Sequence, residues 1–202
     1  MRSEMRIAFI GSTGRLGGPI AHEALARGHA VTALRRGEVD IFDVAALAQA
    51  VRGHDALVSA YRPPSGDTLH LLAALARCLT RAAPLAGVAR LLTVGGAGVL
   101  EVAPGQRLGD QSDFPAALRP QVVAHAAAIA ELRAAEGVDW TCVVPAAQIA
   151  PGPRSARYRT AVGVLVRRED GSSTITDADF ACAVLDELET GRHPRQVLGV
   201  GD

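Results

Sequence analysis

Three glycines at three-residue spacing, Gly11, Gly14 and Gly17, follow directly on the apolar run Ile7-Ala8-Phe9-Ile10. Glycine reaches backbone angles closed to other residues, so the chain can reverse sharply at Gly11. Gly14 carries no side chain, which leaves its backbone open to a pyrophosphate. Gly17 lets a following helix pack close to the strand. Ser12 and Thr13 add hydroxyls, and Arg15 and Leu16 complete the turn. A helix starting there offers unpaired N–H groups and a partial positive charge to phosphate. Between an apolar strand and an amphipathic segment, this spacing predicts a dinucleotide-binding turn. An ordinary glycine-rich strand-to-helix turn has the same spacing, so the surrounding elements must separate the two.

Those elements alternate along the whole chain, as a parallel sheet covered on both faces requires. Strands are expected at Arg6–Ile10, Ala30–Leu34, Ala56–Tyr61, Arg90–Val94, Trp140–Pro145 and Gln196–Val200. Helices are expected at Gly17–Arg27, Val44–Val51, Asp67–Ala82, Pro120–Glu136 and Asp177–Glu189. The fold class is therefore α/β, a single-domain Rossmann-like doubly wound parallel sheet spanning residues 1–202. Thr176 is an expected N-cap with an acid three residues on. Gly28 and Gly137 are expected C-caps. The segments 102–118 and 151–159 read as loops over the carboxyl ends of the strands, covering the ligand crevice. One connection is too short. Only Arg35-Arg36-Gly37-Glu38 separates Leu34 from Val39–Phe42, and a parallel crossover needs about a dozen residues. Either Val39–Phe42 is not a strand beside Ala30–Leu34, or it pairs another way.

Composition narrows the function. The chain has 202 residues, zero formal net charge and 49% apolar residues. That balance points to no nucleic acid and no membrane as partner. No apolar run approaches the roughly 18 residues of a membrane span, and the start lacks a signal-peptide core, so a cytoplasmic protein is expected. A monomer or homodimer is expected. Cys78, Cys142 and Cys182 fit neither a metal spacing nor a disulfide framework and read as core thiols; no metal site is expected. All 21 basic residues are arginine, and the chain holds neither lysine nor asparagine.

With these segments laid out, the chain resembles the atypical short-chain dehydrogenase/reductase group. Within it, the similarity is to the NAD(P)H-binding family of NADH-flavin reductases and biliverdin reductase B-like proteins. The segments that carry it are Ile10–Gly17, Glu23–His29, Val31–Arg35, Asp40–Asp43, Gly53–Tyr61 and Arg90–Gly98, then Asp113–Pro115, Ala124-His125, Asp139–Thr141 and Val144–Ala146. The resemblance implies that Gly11, Ser12, Thr13, Gly14, Arg15, Leu16 and Gly17 hold the pyrophosphate. It places Arg35, with Arg36 as a weaker copy, at the 2′-phosphate of NADPH, and so favours NADP(H) over NAD(H). A planar guanidinium at a strand's carboxyl end independently suits a phosphate dianion; a solvated surface arginine is the other reading. Asp40 and Ile41 would meet the adenine. Ser59, Ala60 and Tyr61 would flank the ribose and nicotinamide, although Tyr61 is equally readable as a half-buried structural tyrosine. Gly95 and Gly96 would let the nicotinamide approach the backbone, with Pro145, Ala146 and Gln148 bordering its amide.

The usual carbonyl reductases of this superfamily join Asn, Ser, Tyr and Lys, with lysine lowering the tyrosine pKa. Without lysine and asparagine that route is closed. Hydride transfer is not, because a flavin or quinone accepts hydride without a strong local acid. The expected function is thus an NAD(P)H-dependent oxidoreductase passing hydride to a flavin, taken as substrate, or a similar small planar acceptor. The alternative is a non-catalytic NAD(P)-binding sensor or partner-binding protein. His125 is the one candidate acid; a helix-surface or capping histidine is the other reading.

Overall fold

The computed structural model describes residues 4–64 and 66–202. Its strands are β1 (Arg6–Ile10), β2 (Ala30–Leu34), β3 (Ala56–Ser59), β4 (Arg90–Val94), β5 (Glu101–Ala103), β6 (Gln106–Arg107), β7 (Asp139–Pro145), β8 (Gln148–Ala150), β9 (Arg159–Val162), β10 (Thr174–Thr176) and β11 (Gln196–Gly201). Its helices are α1 (Gly17–Ala26), α2 (Val44–Val51), α3 (Leu71–Leu85), α4 (Arg119–Arg133) and α5 (Asp177–Thr190). Seven strands form one sheet in the order β2-β1-β3-β4-β7-β11-β9. All its pairs are parallel except β11 with β9. The chain reverses direction across the sheet between β1 and β3, where an open α/β sheet forms its ligand crevice.

Side chains of successive strand residues point to opposite faces, and β1 shows why both faces must be covered. Ile7 and Phe9 join Ile20 and Ala24 of α1 and Phe180 and Val184 of α5 in one core. Ala8 and Ile10 join Leu47 of α2, Leu75 of α3 and Ile129 of α4 in the other. The strands read as near-continuous apolar runs for this reason.

Helix ends follow local chemistry. The Thr176 hydroxyl accepts from the Asp179 N–H at 3.0 Å, which starts α5. Asp43 caps α2 by accepting from the Ala46 N–H at 2.8 Å. At the end of α1, Gly28 takes a φ of 85°. The Gly28 N–H donates to the Leu25 carbonyl and the His29 N–H to the Ala24 carbonyl, the paired closure of a Schellman motif. Gly137 is not a cap, because α4 already ends at Arg133 and Gly137 belongs to the link into β7.

Other boundaries depart from expectation. Val39–Phe42 is turn and not strand, so the short connection needs no crossover; the Asp40 carboxylate accepts from the Phe42 N–H at 2.9 Å and rounds the bend. Strand β3 stops at Ser59, leaving Ala60 and Tyr61 beyond it. A single 3₁₀ turn at Gly66–Thr68 delays α3 to Leu71. The 102–118 segment contains the β5–β6 hairpin and 3₁₀ turns at Leu108–Asp110 and Ala116–Leu118. It packs against the start of α4, where Gly98 and Gly109 approach Val122. The 151–158 segment lies along α5 and reaches α1. Asp179 accepts from the Ser155 and Ala156 N–H groups, and Arg154 grips Glu23 with two hydrogen bonds.

Candidate functional site

Gly11 leaves β1 with a φ of 81°. A Cβ there would lie 2.8 Å from the Ala60 carbonyl oxygen, so the turn and the end of β3 close on each other at this point. The Gly14 N–H then donates to the Gly11 carbonyl at 3.0 Å. Gly17, the first residue of α1, is buried against the same carbonyl. Among the described residues, the N–H groups of Ser12 and Thr13 donate to no protein acceptor, which leaves them available for an anion.

A cleft of ≈ 760 Å³ opens beside this turn. Gly11, Ser12, Thr13 and Gly14 line one side, Arg35, Arg36, Asp40 and Ile41 the other, and Ala60 and Tyr61 the inner end. The residues of the cleft come from three stretches, 10–14, 34–42 and 60–62, which β1, β2 and β3 hold side by side in register: Ile10 faces both Leu34 and Ser59. The volume and the apolar-to-cationic gradient fit a dinucleotide.

Not every expected residue faces this cleft. The Arg15 guanidinium donates to the Ile149 carbonyl at 2.5 Å and so ties the turn to β8. Leu16 packs against the α1–α5 core. Ser59 is buried, and its hydroxyl accepts a long 3.4 Å bond from the Tyr61 N–H. Pro145 ends β7, buried Ala146 follows it, and Gln148 begins β8 with its side chain exposed. Gly95 and Gly96 lie at the end of β4, but protein fills the space beside them. A Cβ on Gly95 would meet Val144 at 2.7 Å, and one on Gly96 would meet His125 at 2.8 Å. Their lack of side chains is thus accounted for by packing. No residue of 102–118 or 151–159 lines the cleft.

The cleft also contains residues that the motifs do not mark, among them Phe42, Arg62 and Glu38. Phe42 meets the Tyr61 ring edge-on, with centroids 6.0 Å apart. Arg62 follows Tyr61 along the rim. Glu38 reaches within 4.0 Å of Arg35, both side chains being exposed. An acid three residues after Arg35 was the available signal. Burial raises the Tyr61 phenol, and nearby Arg36 partly opposes this.

The candidate acid His125 projects from α4 into a small chamber that Tyr61 also borders. Desolvation pushes its imidazole down to about 4, so the ring is neutral at pH 7. Tyr158 lies elsewhere: its hydroxyl donates to Asp186 on α5, and burial with that carboxylate raises its pKa. The described residues contain no cluster of His, Cys, Asp and Glu able to hold a metal ion, and no helix among them is long and apolar enough to cross a membrane.

Comparison with known proteins agrees with this geometry. The NAD(P)H-binding family matches residues 37–190. YwnB of Bacillus subtilis, an uncharacterised protein, is 34% identical over 95% of this chain and 96% of its own. A crystal structure from Burkholderia pseudomallei, named as a candidate exported protein, is 42% identical with a TM-score of 0.92, covering 98% of this chain and 100% of that one. A candidate NADH-flavin reductase from Streptococcus pneumoniae TIGR4 is 32% identical with a TM-score of 0.90, covering 98% and 99%. The turn, the cleft and these similarities converge on one assignment: the chain belongs to the NAD(P)H-binding family, with a Rossmann-like fold of the atypical short-chain dehydrogenase/reductase kind.

Proposed function

We propose that this protein is an NADPH-dependent reductase acting on a flavin or a similar planar acceptor. The observation that carries the proposal is the cleft at the β1–β3 reversal, with the glycine turn at one end and Arg35 and Arg36 at the other. Bound NADPH would supply a hydride from its nicotinamide. Ser12 and Thr13 would hold the pyrophosphate through their free N–H groups, and Arg35 would hold the 2′-phosphate. Asp40 retains one carboxylate oxygen for the adenine amine. Tyr61 walls the inner end and excludes water there.

The acceptor class follows from the proton donors. His125 is neutral at pH 7, Tyr158 is committed to Asp186, and the chain has no lysine. A carbonyl acceptor needs a proton as hydride arrives; a flavin or quinone takes its proton afterwards from solvent. The pneumococcal relative's description as an NADH-flavin reductase supports the same reading. The flavin is then a substrate that comes and goes.

The missing Tyr–Lys pair also suits a dinucleotide-binding sensor, and one experiment separates the two. Protein is mixed with NADPH and then with FMN, riboflavin or a quinone in a stopped-flow instrument, and NADPH absorbance is followed. Oxidation above the uncatalysed rate supports the reductase. Tight NADPH binding without oxidation by any acceptor overturns it in favour of the sensor.

A further inference from the structure

Ser59, Thr93 and Cys142 form a polar row on an otherwise apolar face of the sheet. Register sets the row: Ser59 pairs with Thr93 across β3 and β4, and Thr93 with Cys142 across β4 and β7. All three share the α3–α4 face with Leu57, Leu91 and Val144, which form its core. Above the row stands His125 from α4, whose imidazole is tied by no side-chain hydrogen bond and feels desolvation alone.

The Thr93 hydroxyl oxygen is buried and has no hydrogen-bond partner. The Cys142 thiol stands beside it: burial pushes the thiol up to about 11, and the Thr93 hydroxyl acts against that rise. The Ser59 hydroxyl receives only the 3.4 Å bond from the Tyr61 N–H, so its own proton has no acceptor. A buried hydroxyl without a partner costs about 1–3 kcal/mol, and native proteins rarely tolerate it. The same residues line a small chamber of ≈ 30 Å³ together with Leu75, Leu79 and Ile129. A water needs about 15 Å³ and two to four polar partners.

We infer that Thr93 Oγ1, Ser59 Oγ and the His125 ring together hold one ordered water behind Tyr61. The water completes the hydrogen bonding of both hydroxyls. It also fixes the His125 ring, which rests against Gly96 and borders the same chamber as Tyr61. The site is built from the register of three strands and one helix. It does not depend on which acceptor the cleft serves, so a negative reductase assay leaves it standing.

A high-resolution crystal structure of the wild-type protein tests it directly. The expected result is density for one water within hydrogen-bond distance of Thr93 Oγ1 and of Ser59 Oγ or a His125 ring nitrogen. Absence of that density overturns the inference. Thr93→Val gives a second test whose sign is decisive. If the hydroxyl binds water, the valine lowers Tm by roughly 2–4 °C. If the hydroxyl has no partner, the valine removes a penalty and Tm rises, which again overturns the inference.

Discussion

A Cβ placed on Gly17 would lie 1.9 Å from the carbonyl oxygen of Gly11. This contact is backbone against backbone, so no side chain can yield to relieve it. Gly14 differs, since a Cβ there would sit 3.2 Å from the same oxygen on the side open to the cleft. The two glycines therefore do separate work. Gly17→Ala is expected to distort the turn, lowering Tm and abolishing NADPH binding together. Gly14→Ala is expected to shift Tm by only about 2 °C yet weaken NADPH by about 10-fold, since it blocks the approach of the phosphates. Calorimetric titration and thermal melts on both variants check this. Equal effects of Gly14→Ala on stability and binding would remove its assignment to the phosphate site.

Arg35 and Glu38 make the second test. Glu38 stands 4.0 Å from Arg35 at the rim, where the 2′-phosphate of NADPH is proposed to bind. An exposed pair of this kind contributes little to folding, but its carboxylate opposes an incoming dianion. Arg35→Ala should weaken NADPH by about 10-fold and leave NADH unchanged. Glu38→Gln should tighten NADPH with little effect on NADH. An Arg35→Ala protein that binds NADPH normally would assign the phosphate contact to Arg36 or to neither.

The glycine turn and the core strands were legible because each requirement is local. Gly11 needs its positive φ, and β1, β3 and β7 are buried on both faces over most of their length, so their sequences are mainly apolar. The edge strand β9 was not legible. Its residues Arg159-Thr160-Ala161-Val162 are mostly exposed, and the segment leading into it is held by ties of Tyr158 to Asp186 and of Arg154 to Glu23, which are distant in sequence. Strands β8 and β10 have three residues each and exist only as a pair. Gly95 and Gly96 also answer to a packing demand that the sequence does not show, because only the fold brings Val144 and His125 beside them. The Ser59–Thr93–Cys142 row likewise needs the register of three strands before it can be seen.

Stability should fall with acid in two successive windows. Burial lowers His125 from 6.5 to about 4. Between those values the unfolded chain binds a proton that the folded protein does not, so stability is complete above pH 6.5 and declines as pH falls to about 4. The whole shift is worth about 3 kcal/mol. Hydrogen bonds from Arg154, and then from Arg27, overcome the burial of Glu23 and lower it from 4.5 to about 2. Its contribution is present above pH 4.5 and is lost as pH falls toward 2. His125→Gln should flatten the upper window and leave the lower one, and Glu23→Gln should do the reverse. Thermal melts across pH resolve the two. An unchanged upper window in His125→Gln would show that another group titrates there.

Tyr158 and Tyr61, the only tyrosines in the chain, should behave in opposite ways. The Tyr158 hydroxyl donates to Asp186, which also receives Arg27 at 2.7 Å, so this tyrosine belongs to the charged seam joining α1 and α5. Tyr158→Phe removes a charge-assisted hydrogen bond and should cost about 1–2 kcal/mol of stability. It should leave flavin reduction unaltered. Tyr61 borders both the cleft and the chamber, and its ring is braced edge-on by Phe42. Tyr61→Ala opens that wall to water and should lower kcat/KM for the acceptor by about 10-fold, while Tyr61→Phe, which keeps the wall, should retain most activity. Loss of turnover in Tyr158→Phe at full NADPH affinity would contradict the absence of a tyrosine acid.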